Sequence, residues 1–503
     1  MMKLKFKYIA AILPLLTLSS CGDSFFDTAP ATQITTPEVF SSESNIDAFI
    51  NGSLRFLMEN STSQDNPGLP AIFLTHEVMG EDAIARDGRY GFRDSYPYKD
   101  PFDNSTRRAL FFWTLQYKSI DHANNLIANI KIDDSSKESL KHLKGQAYAL
   151  RGLNYLNLVR QYQFTYVKDP NAKAIPIYTD PTTPTTEPKP RSTVKQVYDQ
   201  IIGDLKEAEK LLPGFKRKVK NRLDLNVVYG LLARTYLTQE NWEQARDYAN
   251  KARVGYPIMT ATQYTEGFND VSNSEWIWGH PQTQTQNLGG ASFLAYIETT
   301  PYATDAKGVN LYFGYNSIVP DPNFIGLFTN GDVRKSLFEI AKQPAEAIYR
   351  SYRYRKFRNK HPNRDGHIVL MRASEQLLIE AESKARLDDV KGAIDLLNEL
   401  RRKRNLPDLS VASFNKTTAV EEILLERRKE LWGEGFRLYD ILRTQTAPVR
   451  RETNETFIDD AGKTASVVGH YITKFPDGKS ITANSTYFLF PIPLNELNNN
   501  PNL

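Results

Sequence analysis

Two stretches of this 503-residue chain gather side chains suited to recognition chemistry. The first, residues 85–108, carries Tyr90, Tyr96 and Tyr98 beside Arg89, Arg93 and Asp94. The second, residues 282–323, carries Tyr296, Tyr302, Tyr312 and Tyr315 with Gln286, Asn287, Asp305 and Asn310. Aromatic faces pack against C–H groups, and amides, carboxylates and guanidiniums hydrogen-bond in fixed planes. Sugars present both kinds of surface. Any single ring of this set is more simply explained by core or loop packing. As a set, two or more are expected to line a site where the two stretches meet.

Catalytic chemistry finds less support. The seven histidines are scattered, with no His-Glu-x-x-His and no pair at helical ligand spacing. No Gly-x-Ser-x-Gly and no phosphate-cradling glycine loop is present. Nothing calls for a metal or another cofactor, and no residue is assigned a catalytic role. Carboxylate pairs for glycoside hydrolysis are set in space rather than in sequence. Glu81, Asp82, Asp87, Asp94 and Asp305 therefore keep a hydrolase open as a rival. The cluster Glu426, Arg427, Arg428, Glu430, Arg437 and Asp440 reads as helix ion pairs and interhelix bonds. A net charge of +4, from 63 basic and 59 acidic residues, gives no case for nucleic acid. The basic run Lys216, Arg217, Lys218 and Lys220 reads as a solvated loop, and Ser351–Lys360 suits a strand.

The one cysteine has a different chemistry. Lys3, Lys5 and Lys7 precede an apolar run from Ile9 to Leu18 that is too short to span a bilayer. Leu18-Ser19-Ser20-Cys21 follows, the form of a bacterial lipoprotein cleavage site. Cys21 is expected to be alkylated by diacylglycerol and to begin the mature chain, tethered by lipid rather than by a helix.

The elements that position these residues are helical. Residues 226–257 read as one tetratricopeptide hairpin. Tyr229, Leu232, Ala233 and Tyr236 mark the inner face of its first helix. Ala245, Ala249 and Ala252 mark that of the second, and Pro257 closes it. Alanines let the two helices approach while aromatics fill the gap between layers. One such unit cannot bury its own core, so others are expected to stack on it. Helical patterns recur at 44–59, 109–130, 136–162, 193–212, 368–405 and 418–443. Residues 60–108 show no helical or strand period, and 168–192 is a Pro/Thr-rich connector. Glu275–Trp278 alternates like a short half-buried strand. The five tryptophans are assigned to the scaffold.

Together these features resemble the SusD/RagB family of Bacteroidetes surface lipoproteins. The matching residues are the Cys21 lipobox, Phe25-Phe26-Asp27 with Pro30, Trp113-x-x-x-Tyr117-x-x-Ile120 to Asn124-Asn125, and Arg151-x-x-x-Tyr155 to Val159-Arg160. Arg372-Ala-x-Glu375 to Glu380-Ala381-Glu382 and Leu397-Asn398-x-x-Arg401-x-x-Arg404 resemble the family's paired helices. Glu426-Arg427-Arg428-x-Glu430-Leu431 to Gly435-Phe436-Arg437-x-x-Asp440 resembles its long helix, and Pro491-Ile492-Pro493-x-x-Glu496 to Asn500-Pro501 its C-terminal segment. One departure is Gln161-Tyr162-Gln163-Phe164, standing between the Val159-Arg160 helix end and Ile175-Pro176.

The resemblance implies a mainly α fold: about four tetratricopeptide-like hairpins forming a superhelical scaffold, with a loop-rich insert region carrying short strands. It divides the chain into a signal peptide, 1–20, and one domain, 21–503. Scaffold segments are expected at about 37–60, 109–165, 193–257 and 368–445, inserts at about 60–108 and 258–367, and a C-terminal segment at 446–503. It further implies an outer-membrane lipoprotein, anchored through Cys21 and facing outward. Such a protein binds an oligosaccharide without catalysis and hands it to a SusC-like TonB-dependent transporter. Some members bind peptides instead. Ligand contacts are expected from Tyr90, Arg93, Tyr96, Tyr98, Tyr296, Tyr302, Tyr312 and Tyr315.

Overall fold

The structure is a computed structural model describing residues 36–283, 288–359 and 366–503. Cys21, Gln286 and Asn287 lie outside the described residues. Helices α1 (Thr36–Val39) and α2 (Glu43–Glu59) lead to α3 (Gly68–Met79), α4 (Arg107–Asn129) and α5 (Glu138–Tyr162). Then come α6 (Val194–Leu211), α7 (Leu225–Thr238) and α8 (Trp242–Arg253). The second excursion holds short helices, α9 (Ala261–Thr265), α10 (Phe293–Ile297) and α11 (Pro322–Ile325). The chain returns as α12 (Ala373–Arg386), α13 (Val390–Lys403), α14 (Lys416–Glu430) and α15 (Arg437–Arg443), and closes with α16 (Leu494–Asn499).

From α4 to α8 each helix packs on the next, then α8 packs on α12, and α12 on α13 and α14. The result is the mainly helical scaffold of stacked hairpins that the sequence implies. In the α7–α8 hairpin, Leu232, Ala233, Ala245, Ala249 and Ala252 are fully buried. Tyr229 and Tyr236 are only partly buried, and both rings lie against Tyr248 of α8. Side-chain caps start both helices: Asp224 accepts from the Val227 N–H, and Asn241 from that of Gln244. Among the described residues no helix is long and apolar enough to cross a membrane.

Strands occur in antiparallel pairs outside the helical layer. β1 (Ala83–Ala85) pairs with β5 (Ile318–Pro320), and β2 (Trp276–His280) with β8 (Ile368–Arg372). β3 (Ala303–Thr304) pairs with β4 (Asn310–Leu311), and β6 (Phe338–Ile340) with β7 (Tyr352–Tyr354).

Four expectations change. Residues 60–108 contain a full helix, α3, in which every residue but Phe73 is buried. With no face left to water, no amphipathic period forms. Residues 368–372 are strand β8, running straight into α12. The 418–443 stretch is two helices, broken at Gly433 and Gly435, which take φ of 81° and 83°. A Cβ at Gly435 would lie 2.6 Å from the Phe73 ring, and one at Gly433 would strike Phe357. Strand β2 is buried on both faces rather than half-buried.

Charge ties the excursion to the scaffold. Arg372 contacts Glu275 at 2.9 Å, Glu430 at 2.8 Å and Glu434 at 2.8 Å. Glu430 also takes Arg404 at 2.7 Å and Arg334 at 2.9 Å, while Lys356 reaches Glu434 at 2.6 Å. All are buried. Burial alone would raise the Glu430 carboxyl, but Arg404 and Arg372 hold it well below the usual carboxylate range. The 426–440 cluster is thus structural, as its sequence suggests. Arg427 pairs with Asp440 at 2.8 Å, and Arg428 and Arg437 pair with Asp82 and Glu81. In the basic run, Arg217 turns inward instead, to Asp224 at 2.9 Å and the Tyr256 hydroxyl at 2.8 Å.

Candidate functional site

The β1–β5 pairing joins the two ring-rich stretches: Ala83 faces Pro320, Ile84 faces Val319 and Ala85 faces Ile318. The Arg86 N–H extends it to the Ser317 carbonyl at 2.8 Å. Beyond this ladder both chains turn on glycines. Gly91 has φ 86°, and a Cβ there would stand 2.8 Å from the Tyr296 ring. Gly314, at φ 70°, lets the Tyr315 N–H reach the Ala295 carbonyl at 2.6 Å.

Rings from the two stretches then interleave. Phe92 meets Tyr296 edge-on with centroids 5.2 Å apart. Tyr296 stacks on Tyr315 at 5.3 Å, and Tyr315 lies 4.8 Å from Tyr90. Gln64 clasps the row: its carbonyl accepts from the Tyr296 hydroxyl at 2.6 Å, and its side-chain oxygen from Tyr315 at 2.7 Å. Tyr90 and Tyr315 are half-buried. On the β3–β4 hairpin, Tyr302 is 50 % exposed and stacks on Phe313 with centroids 3.9 Å apart. Tyr312, half-buried beside them, donates to Glu346 at 2.8 Å and accepts from Arg353 at 2.9 Å.

Next to Tyr90 is a small polar cavity of about 40 Å³, bounded by Phe92, Arg93, Asp65 and Arg108. Arg108 pairs with Asp100 at 2.9 Å and Asp65 at 3.2 Å, and its guanidinium sits 4.7 Å from the Phe92 ring centre. Arg93 and Asp94 stand exposed at its edge. The volume suits a water or a hydroxyl, and the walls supply the polar partners either needs.

Three expected contacts do not reach the surface. Tyr96, Tyr98 and Tyr296 are fully buried, so none offers a face to a ligand. The Tyr96 hydroxyl pairs with His470 Nδ1 at 2.8 Å, and His470 Nε2 pairs with the Glu81 carbonyl at 2.9 Å. A carbonyl only accepts, so Nε2 carries the proton and Nδ1 accepts from Tyr96. Burial and the nearby Arg450 push His470 down to about 3. Tyr98 donates to the Met79 carbonyl at 2.8 Å, and Arg450 packs over both tyrosine rings. These two tyrosines fasten the first insert to the C-terminal segment. The third, Tyr296, forms the floor beneath Tyr315.

Gln64 and Phe313 were absent from the expected set; Gln64 lies in an ordinary polar turn, which gives no signal. Phe102, 71 % exposed, stacks on Tyr487 at 5.6 Å, apart from the Tyr90–Tyr315 row. The acidic residues are mostly engaged. Glu81 and Asp82 sit buried against Arg437 and Arg428, and Asp305 caps its own turn through the Lys307 and Val309 N–H groups at 2.8 and 2.9 Å.

A crystal structure of a SusD-like carbohydrate-binding protein from Bacteroides vulgatus superposes with a TM-score of 0.82. It is 36 % identical and covers 92 % of this chain and 97 % of its own. The chain belongs to the SusD family. A SusD-family profile matches residues 329–503, and one described as starch-binding associating with outer membrane matches 24–237. A SusD superfamily protein from Bacteroides thetaiotaomicron matches with a TM-score of 0.75 and 25 % identity, over 92 % of this chain and 98 % of its own. SusD-like protein P2 of Formosa agariphila is 25 % identical over 486 residues, 86 % of this chain and 90 % of that protein.

Proposed function

We propose that this SusD-family protein binds an oligosaccharide, without cleaving it, on the open rings of Tyr90, Tyr302 and Tyr315, with Arg93 and Tyr312 at the edge. One observation carries the reading. Tyr90 and Tyr315 come from separate excursions of the chain, yet their rings lie 4.8 Å apart and remain partly open to solvent. Such a surface packs against sugar C–H groups, and the polar cavity beside Tyr90 accommodates a hydroxyl. The Bacteroides vulgatus relative, named a carbohydrate-binding protein, supports the same class of ligand. The protein is held at the outer face of the outer membrane by lipid on Cys21 and delivers its ligand to a SusC-like TonB-dependent transporter.

The test is a glycan array on the chain from Gly22 onward, followed by titration of the best ligand. Tyr302→Ala and Tyr315→Ala are expected to weaken binding. Released products on chromatography would overturn the non-catalytic reading. Peptide binding that is indifferent to both substitutions would overturn the sugar.

A further inference from the structure

We propose a second saccharide-binding site, in the cleft between α4, the 176–188 segment and α16. The cleft holds about 560 Å³, far more than the cavity beside Tyr90, and falls in the range of small-ligand sites, about 300–1,000 Å³. It shares no lining residue with the insert surface.

Its origin is the Pro/Thr-rich connector, laid across α4 as a strap. Tyr117 donates to the Pro176 carbonyl at 2.8 Å. Asn124 donates to the carbonyls of Tyr178 and Asp180 at 3.1 and 3.0 Å. The Asp121 carboxylate accepts from both the Thr182 N–H and its hydroxyl at 2.8 Å. At the far end Asn500 and Asn502 donate to the Lys189 and Pro188 carbonyls at 2.9 Å. The strap is pinned along both sides, and the space beneath it is held open by built contacts.

The walls suit a polyol. Tyr117 and Tyr178 stand 6.1 Å apart at 78°, and Trp113 lies 4.7 Å from Tyr117. The Tyr117 hydroxyl donates to the Pro176 carbonyl, while Tyr178 accepts from the Lys189 N–H and keeps its own O–H to donate. A ligand meets ring carbon and this one phenol donor. Glu496 provides the polar counterpart. Its carboxylate lines the cleft together with Trp113, and among the described residues it has no cationic partner. Burial raises its pKa, so it gains from hydrogen-bond donors. Threonines at 114, 183 and 186 supply further hydroxyls. Charge decides between a sugar and an ammonium ligand. Lys118 and the Lys189 ammonium, 5.3 Å from the Tyr178 ring centre, are balanced by the Asp121 and Glu496 carboxylates, so the cleft carries no net charge and suits a neutral sugar.

The experiment is hydrogen-exchange mass spectrometry on the chain from Gly22 onward, which keeps every described residue. Short malto-, cello-, xylo- and chito-oligosaccharides serve as probes. At least one is expected to slow exchange in peptides covering 176–188 and 494–500. Tyr178→Ala is expected to weaken that binding by at least about tenfold, and Tyr315→Ala to leave it unchanged. Thr183→Trp, a substitution at an exposed strap position, fills the cleft without touching the scaffold and is expected to abolish the protection. The proposal is overturned if no probe protects the strap. It is also overturned if only tetramethylammonium or a proline-rich peptide does, or if protection survives both Tyr178→Ala and Thr183→Trp. Exchange at 296–315, read in the same spectra, reports the insert surface separately.

Discussion

The α7–α8 hairpin and the 258–367 insert are held in place by different forces. The hairpin is a dry contact: three alanines of α8 at full burial, with no ion pair between its two helices among those described. The insert is moored by buried charge. Glu275, Arg334 and Lys356 reach across to Arg372, Glu430 and Glu434. Apolar packing repeats easily and tolerates distance from any one residue. A buried ion network is specific, because each member fails without its partners. The seam inside the hairpin therefore suits repetition and the mooring of the insert suits fixed placement of irregular loops, while buried pairs such as Arg151–Asp204 and Arg234–Glu375 also join scaffold helices.

The largest expected effect tests that distinction. Glu430→Gln removes the negative charge shared by three arginines and is expected to cost about 3–5 kcal/mol, measured by denaturant unfolding. A loss below 1 kcal/mol, on the order of an exposed surface pair, would mean the seam holds nothing. Next, Ala249→Leu overfills the hairpin and is expected to cost about 1–3 kcal/mol, with binding by the insert unchanged. If binding fell with it, the two regions would not be separable. Third, Tyr302→Ala is expected to weaken sugar binding about tenfold by calorimetry while leaving the melting temperature alone.

The shallowest effect is one of pH. His470 stays neutral when folded, lowered from 6.5 to about 3. Between those values the unfolded chain takes up a proton that the folded chain does not. Its contribution is therefore complete above pH 6.5 and lost as pH falls toward 3, with a slope of at most about 1.4 kcal/mol per unit. Comparing wild type with His470→Gln across that window isolates the slope. A parallel pair of curves would refute it.

The sequence was most legible where residue spacing meets water. Ala245, Ala249 and Ala252 announced the hairpin because the outer face of α8 is polar, which leaves a period to read. Helix α3 was invisible for the opposite reason, being covered on all sides. Ile368–Arg372 is an apolar run whose length and composition suit either element, and its pairing with β2 decided for a strand. For the candidate site, the meeting of the inserts was inferable from composition. Which rings stay open was not: Tyr96 and Tyr302 look alike in sequence, and partners far along the chain, Arg450 and His470, put the first inside. The cleft over α4 gathers residues from three distant segments, an arrangement no spacing rule reports.

The β2–β8 pair has one further consequence. His280 lies opposite Ile368, so the 87 intervening residues leave and re-enter the fold at neighbouring points. Such an excursion behaves as an exchangeable cassette, since its length and loop content can change without re-aiming the helices. The β5 strand, which has to keep its pairing with β1, and two charged positions restrict the exchange. Any replacement cassette has to bring equivalents of Arg334 and Lys356, or Glu430 and Glu434 lose part of their countercharge inside the protein.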